Sequence, residues 1–455
     1  MDTTTGRLDV IVVGAGLAGT LAALYLARRG HHVEIFERRP DPRLEAGTGG
    51  RSINLGLSAR GMAALREVGL LDQLLSTAVQ MPGRMVHGTD GSLSFHPYGT
   101  ADHEVLYSVR RRVLNSMLID AVQEYGNVEL NFDAKLTALD VENGIAWFVS
   151  ERTGVETSAK ADLIVGADGV YSVVRQHLLH GNQADYQQEY MDWGYKELTI
   201  PAGPYGRPRT HLEALHLWPG DDALMLANPN RDGSLTCTLF LPFTGEQSFA
   251  ALQSPQAVRS FFGRRWPDTI ELIPDLVEQF IERPVGPLVT VRTSRWHHND
   301  RVVLIGDACH AIYPFYAQGM NAAFEDCSVL DACLEANPIN RAAALEEYES
   351  IRRPNTDVLA DLAKLHFIEL RDRVRSPLFQ ARKKADLLLS RLLPGVWLPM
   401  YSMVSHTTMP YTVAVDRARR QEQLLRLAAG GVATLIAGAA SAKLLGVIRT
   451  RSPGR

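Results

Sequence analysis

The chain has 455 residues, 47 Lys+Arg against 51 Asp+Glu for a formal charge of −4, and 45% hydrophobic against 22% charged residues. That balance excludes a disordered chain, and a sequence pI near 6.4 excludes the basic surplus of a nucleic-acid binder. Four cysteines (Cys237, Cys309, Cys327 and Cys333) match no CxxC or zinc-ligand spacing, so reduced, buried thiols of a cytoplasmic protein are expected, with no metal.

The first element is read from residues 7–39, RLDVIVVGAGLAGTLAALYLARRGHHVEIFERR. Its apolar run from Val10 to Leu26 does not read as a secretory leader, because glycines interrupt it and the basic pair Arg28-Arg29 follows it. A strand over Val10–Val13 leads into Gly14, Gly16 and Gly19, a GxGxxG that opens a helix ending near Gly30. A second strand from Val33 to Phe36 ends at Glu37. Gly14 permits a tight turn, Gly16 lets a pyrophosphate approach the backbone, and Gly19 lets helix and strand pack closely. Glu37 then stands where a carboxylate accepts hydrogen bonds from a ribose diol. Strand, glycines, helix, strand and acid in this order predict dinucleotide binding.

Further along, residues 162–175 read DLIVGADGVYSVVR: a buried strand over Asp162–Val165, a GADG turn, and a helix carrying Ser172 and Arg175. Between them, SVRRRVLN (108–115) places Arg111 at the start of a helix, where a guanidinium can bind a phosphate or ribitol oxygen. Its neighbours Arg110 and Arg112 leave a solvated basic face as the alternative. Segments between about 190 and 245 (YKELTIP, ALHLWP, LMLANP, LTCTLFL) alternate as an antiparallel sheet does. Residues 301–327, RVVLIGDACHAIYPFYAQGMNAAFEDC, give a strand over Val302–Ile305, then Gly306-Asp307, a Pro-containing loop and a helix from near Gly319. An acid at the end of a parallel strand is where open α/β sheets bind ligands. Residues 340–396 are mainly helical, with a break expected at Arg352-Arg353-Pro354.

The triplet GAGLAG (14–19), GADGVYSVVR (166–175) and GDACHAIYPF…QGMN (306–321) resembles the para-hydroxybenzoate-hydroxylase-like FAD-dependent aromatic monooxygenases. Within them, FERRPDPR (36–43), GRSINLGLS (50–58), GRMVH (83–87), PYGT (97–100), GYKELTIP (194–201), TCTLFLPF (236–243) and YSMV (401–404) are similar to the kynurenine 3-monooxygenase branch. The similarity runs from about residue 8 to 426. It implies an α/β fold with a discontinuous Rossmann-like FAD-binding domain (1–75, 105–180 and 292–345) and an antiparallel-sheet substrate domain (76–104 and 181–291) roofing the ring slot. A C-terminal helical region (346–426) follows.

The resemblance also implies FAD contacts at Gly14, Gly16, Ala18, Gly19, Glu37, Arg39, Gly56, Arg111, Leu136, Val173, Asp307, Met320 and Asn321. Backbone N–H groups of the Gln318–Asn321 segment would stabilise negative charge on the reduced flavin. NADPH would reduce the flavin as a transient co-substrate without a second Rossmann domain. O₂ would then form a flavin C4a-hydroperoxide that hydroxylates L-kynurenine at its 3-position. The flavin would carry the chemistry, so no residue is expected to act as a single acid or base. A substituted kynurenine or related aryl amino acid, or uncoupled NADPH oxidation, is the alternative outcome.

A zwitterionic amino-acid substrate needs a cation for its carboxylate, and Arg84, in the otherwise apolar MPGRMVH, is the candidate. Tyr98 and Tyr401 match the family's phenolic donors. In KLHFIEL (364–370), His366 stands where the family places a carboxylate-binding Asn, and Leu370 where it places Met. His366 is expected to donate to the substrate carboxylate, adding charge when protonated. Asn228 replaces a Leu before Pro229, and Ala317 replaces a Gly. The last feature is LAAGGVATLIAGAASAKLLGVI (427–448), near the roughly 20 residues a bilayer needs and interrupted by Lys443. It reads as a membrane anchor or as an Ala/Gly-rich packing helix.

Overall fold

The computed structural model describes residues 7–44, 54–99, 101, 103–180, 184–220, 222–373 and 376–427. Two sheets organise it. The first has six strands in the order His297–His298, Val302–Leu304, Leu163–Gly166, Asp9–Val13, His32–Phe36 and Val128–Asn131. All its pairings are parallel except that of the short His297–His298 edge. Strands buried on both faces are near-continuous Val/Ile/Leu runs, as Val10–Val13 and Leu163–Val165 are.

Strand order places the three glycine motifs. Asp9–Val13 lies between His32–Phe36 and Leu163–Gly166, and Val302–Leu304 is the next strand out. The fingerprint turn, Glu37, the GADG turn and Gly306-Asp307 therefore leave adjacent strands at one carboxyl edge, although nearly 300 residues of chain separate them. The fingerprint helix Leu17–Arg28 is buried over most of its length, because helices Arg111–Gln123 and Gly319–Ala336 flank it.

The second sheet has seven strands: Gly286–Thr293, Tyr186–Ile200, Leu235–Pro242, Ala223–Pro229, Leu215–Gly220, Gly83–His87 and Leu93–Pro97. Only the pairing of Leu215–Gly220 with Gly83–His87 is parallel. Side chains alternate across it. Leu235, Cys237, Leu239 and Leu241 pack into a core with Trp218, Trp266, Phe262 and Phe280, while Phe240 points the other way against Phe315. That second face looks onto the carboxyl edge of the first sheet through Leu215, Leu217 and Leu226.

The break expected at Pro354 does not occur. Helix Arg341–Ile368 runs unbroken for 28 residues with Pro354 inside it. Buried Arg352 is held from outside the helix by Asp326, Glu325 and the Ala322 carbonyl, and within the helix the Asn355 side-chain amide donates to the Ile351 carbonyl. These contacts offset the roughly 3 kcal/mol that an interior proline costs a helix. A turn of π-helix, Glu369–Arg373, and helices Pro377–Leu392 and Met400–Ser405 follow. Of the apolar tail only Leu427 lies within the described residues, among which no helix is long and apolar enough to cross a membrane.

Candidate active site

Gly14 has φ +106°, and a Cβ there would lie 2.5 Å from the Ala167 carbonyl oxygen. At Gly19 a Cβ would lie 2.0 Å from the Gly14 carbonyl oxygen, so helix and turn pack backbone to backbone. Around Gly16 a Cβ would meet nothing within 4 Å. That space opens at the start of helix Leu17–Arg28, whose first intrahelical bond runs from Thr20 N–H to the Gly16 carbonyl, leaving the preceding N–H groups for a ligand. Glu37 braces the turn, accepting from Ala15 N–H at 2.9 Å and Arg39 N–H at 3.0 Å, one bond to each oxygen.

In the GADG turn, Asp168 Oδ2 accepts from the N–H groups of Val173 and Val174 at 2.6 and 3.1 Å and so caps helix Val173–His180. Its Oδ1 is buried without a hydrogen bond of good geometry, and burial, opposed by Ser172 and these N–H groups, raises the carboxyl's pKa. Arg175 donates to the carbonyls of Val170 and Ala308, tying this turn to the one after Gly306. Gly306, at φ +60°, donates to Asp326 Oδ2 at 2.9 Å. Asp326 also holds His310 and Arg352, while Glu325 pairs with Arg352 and Arg60. His310, Cys309 and Asp326 sit close enough to suit a metal, but the arginine and the imidazole already occupy the carboxylate.

Against the desolvation that would raise it, His310 and Arg352 hold the buried Asp326 carboxyl at about 2, below its ordinary 3.8. A depressed pKa stabilises the fold above the unfolded-state value and loses that contribution as pH falls through the folded one. The loss is expected between roughly pH 5 and 2 and amounts to about 2 kcal/mol. Chemical unfolding of wild type and Asp326→Asn across that range checks this: the variant should be less stable at pH 7 and lose less on acidification. Equal slopes would contradict it.

One cavity of about 600 Å³ joins these parts. Its walls include Gly14, Gly16, Glu37, Arg39, Gly56, Arg111, Leu136, Val173 and Asp307, and at the far end Arg84 and Tyr401. Arg111 is the arginine of its trio that opens into the cavity: Arg110 turns to Asn230 at 2.9 Å and to Asp232, and Arg112 donates to the Pro42 carbonyl. Four expected cofactor contacts are not on the wall. Gly19 packs on Gly14, Ala18 lies behind Gly306, and Met320 packs against the main core. The Asn321 amide donates to the Gly56 and Ala317 carbonyls, both at 2.8 Å, and accepts from Ser58 N–H at 2.9 Å. Its side chain is spent joining two loops. The backbone N–H groups of Gly319, Met320 and Asn321 precede the first intrahelical bond of their helix, from Ala322. The open space at Gly16, the poorly bonded Asp168 oxygen and a cavity lined from Gly14 and Glu37 to Arg84 and Tyr401 fit a flavin dinucleotide.

The far end is apolar, lined by Leu215, Leu217, Leu226, Phe240, Phe315 and Leu370, with Asn228 on the same wall. Arg84 enters it from strand Gly83–His87. Its guanidinium carbon lies 4.7 Å from the Tyr401 ring centre and 5.4 Å from that of Tyr98. Arg84 Nε and the Tyr98 hydroxyl are buried without a hydrogen bond of good geometry. Buried donors without acceptors are costly, and a carboxylate would satisfy both. His366 differs from expectation. Its Nε2 faces Arg84 Nη2 at 3.2 Å and its Nδ1 faces Glu369 at 3.1 Å, so it braces the arginine and is off the cavity wall. Tyr316, 4.5 Å from the His366 ring, and Glu369 were missed from sequence, although the i,i+3 spacing of His366 and Glu369 was a usable signal.

The model of a FAD-binding domain matches residues 7–363. A kynurenine 3-monooxygenase of Salinispora arenicola is 58% identical over 450 residues, covering 99% of both chains. The enzymes of that name from Myxococcus xanthus and Anopheles gambiae are 44% and 40% identical, covering 89% and 92% of this chain and 87% and 86% of their own. Among solved structures, 2-methyl-3-hydroxypyridine-5-carboxylic acid oxygenase matches with TM-score 0.65 and 21% identity over 82% of this chain and 94% of its own. Pseudomonas aeruginosa PqsL in complex with 2-aminobenzoylacetate matches with TM-score 0.66 and 22% identity over 82% and 100%. These two share the fold. With its glycine turns, its cavity and full-length identity to named enzymes in agreement, the chain belongs to the kynurenine 3-monooxygenase family of FAD-dependent monooxygenases.

Proposed function

We propose that this protein hydroxylates L-kynurenine at the 3-position of its ring with NADPH and O₂. The observation that carries this reading is Arg84, its Nε buried and unbonded, at the apolar end of the cavity that begins at the glycine fingerprint. Bound FAD supplies hydride acceptance from NADPH and the activation of O₂ for transfer to the ring. The chain's residues bind and orient. Glycine turns and the helix N-terminus hold the pyrophosphate, Glu37 the ribose, and Arg39 and Arg111 further oxygens at the open end. Arg84 takes the substrate carboxylate as a two-pronged donor, with the phenols of Tyr98 and Tyr401 beside it. Leu215, Leu217 and Phe240 form an apolar slot that excludes water from the ring. His366 is off the wall, Asn228 is on it, and full-length identity to kynurenine 3-monooxygenases favours kynurenine over a different aryl substrate.

The test is NADPH oxidation by the flavin-loaded protein with and without L-kynurenine, followed by mass spectrometry and NMR of the product. Stimulated oxidation with a product one oxygen heavier, substituted at the 3-position, is expected. Stimulation without that product would overturn the reading in favour of uncoupled oxidation. A cytoplasmic location with attachment to membranes through residues 427–448 is part of the same proposal. Deleting 427–455 should then move the protein out of the membrane fraction, and an unchanged fraction would sink the anchor.

A further inference from the structure

Arg84 does not stand alone. Its Nη2 lies 3.2 Å from His366 Nε2, and His366 Nδ1 lies 3.1 Å from Glu369 Oε2. A guanidinium only donates, so Nε2 must present its lone pair, and the ring proton must then sit on Nδ1, where it donates to the Glu369 carboxylate. The imidazole is a neutral spacer between a fixed cation and a fixed anion. A direct Arg–Glu pair would fill the guanidinium fork and neutralise it. The spacer restrains one prong without neutralising the fork, and Nε, on a guanidinium set beside the Tyr98 and Tyr401 rings, stays unbonded for a ligand.

We propose that Glu369 is a positioning residue for the substrate clamp: acting through His366, it fixes the tautomer that holds Arg84 ready for an α-carboxylate. This rests on the proposed function, in which Arg84 binds that carboxylate. The surroundings agree. The groups facing His366 are Arg84 from its strand, Glu369 from the π turn, and Tyr316 and Tyr401 at ring distances of 4.5 and 6.0 Å, with Lys383 acting from helix Pro377–Leu392. Burial, opposed by Glu369 and reinforced by Arg84, lowers the His366 pKa to about 4. Burial alone would raise Glu369, but the His366 hydrogen bond and the Lys383 charge hold it at about 2. Without the carboxylate, the imidazole can take its other tautomer and turn an N–H toward the guanidinium, donor against donor, which displaces Arg84.

The experiment titrates flavin-loaded wild type, Glu369→Ala and Glu369→Gln with L-kynurenine and with its decarboxylated amine, following the flavin absorbance, and then measures steady-state turnover. In Glu369→Ala, kynurenine affinity should fall about 30-fold and KM rise in step, with saturated turnover within threefold of wild type. Binding of the carboxylate-free amine should not change. Glu369→Gln, whose amide oxygen still accepts from Nδ1, should recover most of the affinity. Equal losses for both ligands, or no recovery in Glu369→Gln, would show a merely structural carboxylate and overturn the assignment. A wild type that neither binds nor hydroxylates kynurenine would instead overturn the proposed function itself.

Discussion

Replacing Arg84 by alanine should lower kcat/KM for L-kynurenine by about three orders of magnitude while flavin content stays at wild-type level. The guanidinium can make two charge-assisted hydrogen bonds to a carboxylate in a buried site, each worth roughly 1.5–3 kcal/mol. Losing about 4 kcal/mol corresponds to roughly a thousandfold. Truncation also leaves the Tyr98 hydroxyl and His366 Nε2 buried without the cation they face. Arg84→Lys keeps the charge but presents a point donor, so about a hundredfold loss is expected. The flavin should be retained because the glycine turns, Glu37 and Arg111 lie toward the other end of the cavity. Steady-state kinetics beside the flavin-to-protein absorbance ratio checks the prediction. A variant that stays yellow and keeps wild-type kcat/KM would remove Arg84 from the substrate site.

What the sequence made legible follows from how local each signal is. Each of the turns at Gly14, Gly166 and Gly306 is a strand, a turn and a helix within about 20 residues, written in periodicity and glycine placement. Their meeting at one sheet edge also follows from right-handed parallel crossovers. The alternation in LTCTLFL likewise marked an antiparallel strand, although which strand would sit beside Gly83–His87 was not readable. Polar contacts between side chains far apart in the chain carry no such signature. Arg60 meets Glu325 across 265 residues and Arg84 meets His366 across 282, and no periodicity encodes a partner at that range. Pro354 misled for the same reason: its local cost is visible in sequence, whereas the contacts of Arg352 that offset it are not. Asn321 shows the converse, a residue whose motif was legible while the use of its side chain, binding loop to loop, depended on the folded loops around it.

Gly16 and Gly19 are three residues apart in one fingerprint, yet alanine should act on them in opposite ways. At Gly19 the added methyl would lie 2.0 Å from the Gly14 carbonyl oxygen and 3.0 Å from Ala167 Cβ. Both neighbours belong to turns pinned by other contacts, with Gly14 N–H bound to the Phe36 carbonyl and Ala167 N–H to that of Val13. Relief therefore requires the helix to back away from the sheet, at a cost of about 3 kcal/mol or more. At Gly16 the backbone has φ −73°, which any residue adopts, and the methyl meets no protein atom within 4 Å. The flavin-free protein should thus tolerate Gly16→Ala, with a thermal midpoint within about 1 °C of wild type, since substitutions that meet no packed neighbour stay near ±0.5 kcal/mol. FAD affinity should nevertheless fall about a hundredfold, because the methyl stands in the space through which the pyrophosphate reaches the helix N–H groups. Thermal unfolding of both flavin-free variants, with FAD titration by fluorescence quenching, separates the two effects. If Gly16→Ala binds FAD as tightly as wild type, the pyrophosphate does not pass over Gly16. If it unfolds like Gly19→Ala, the glycine serves packing, and the space beside it has no part in holding the cofactor.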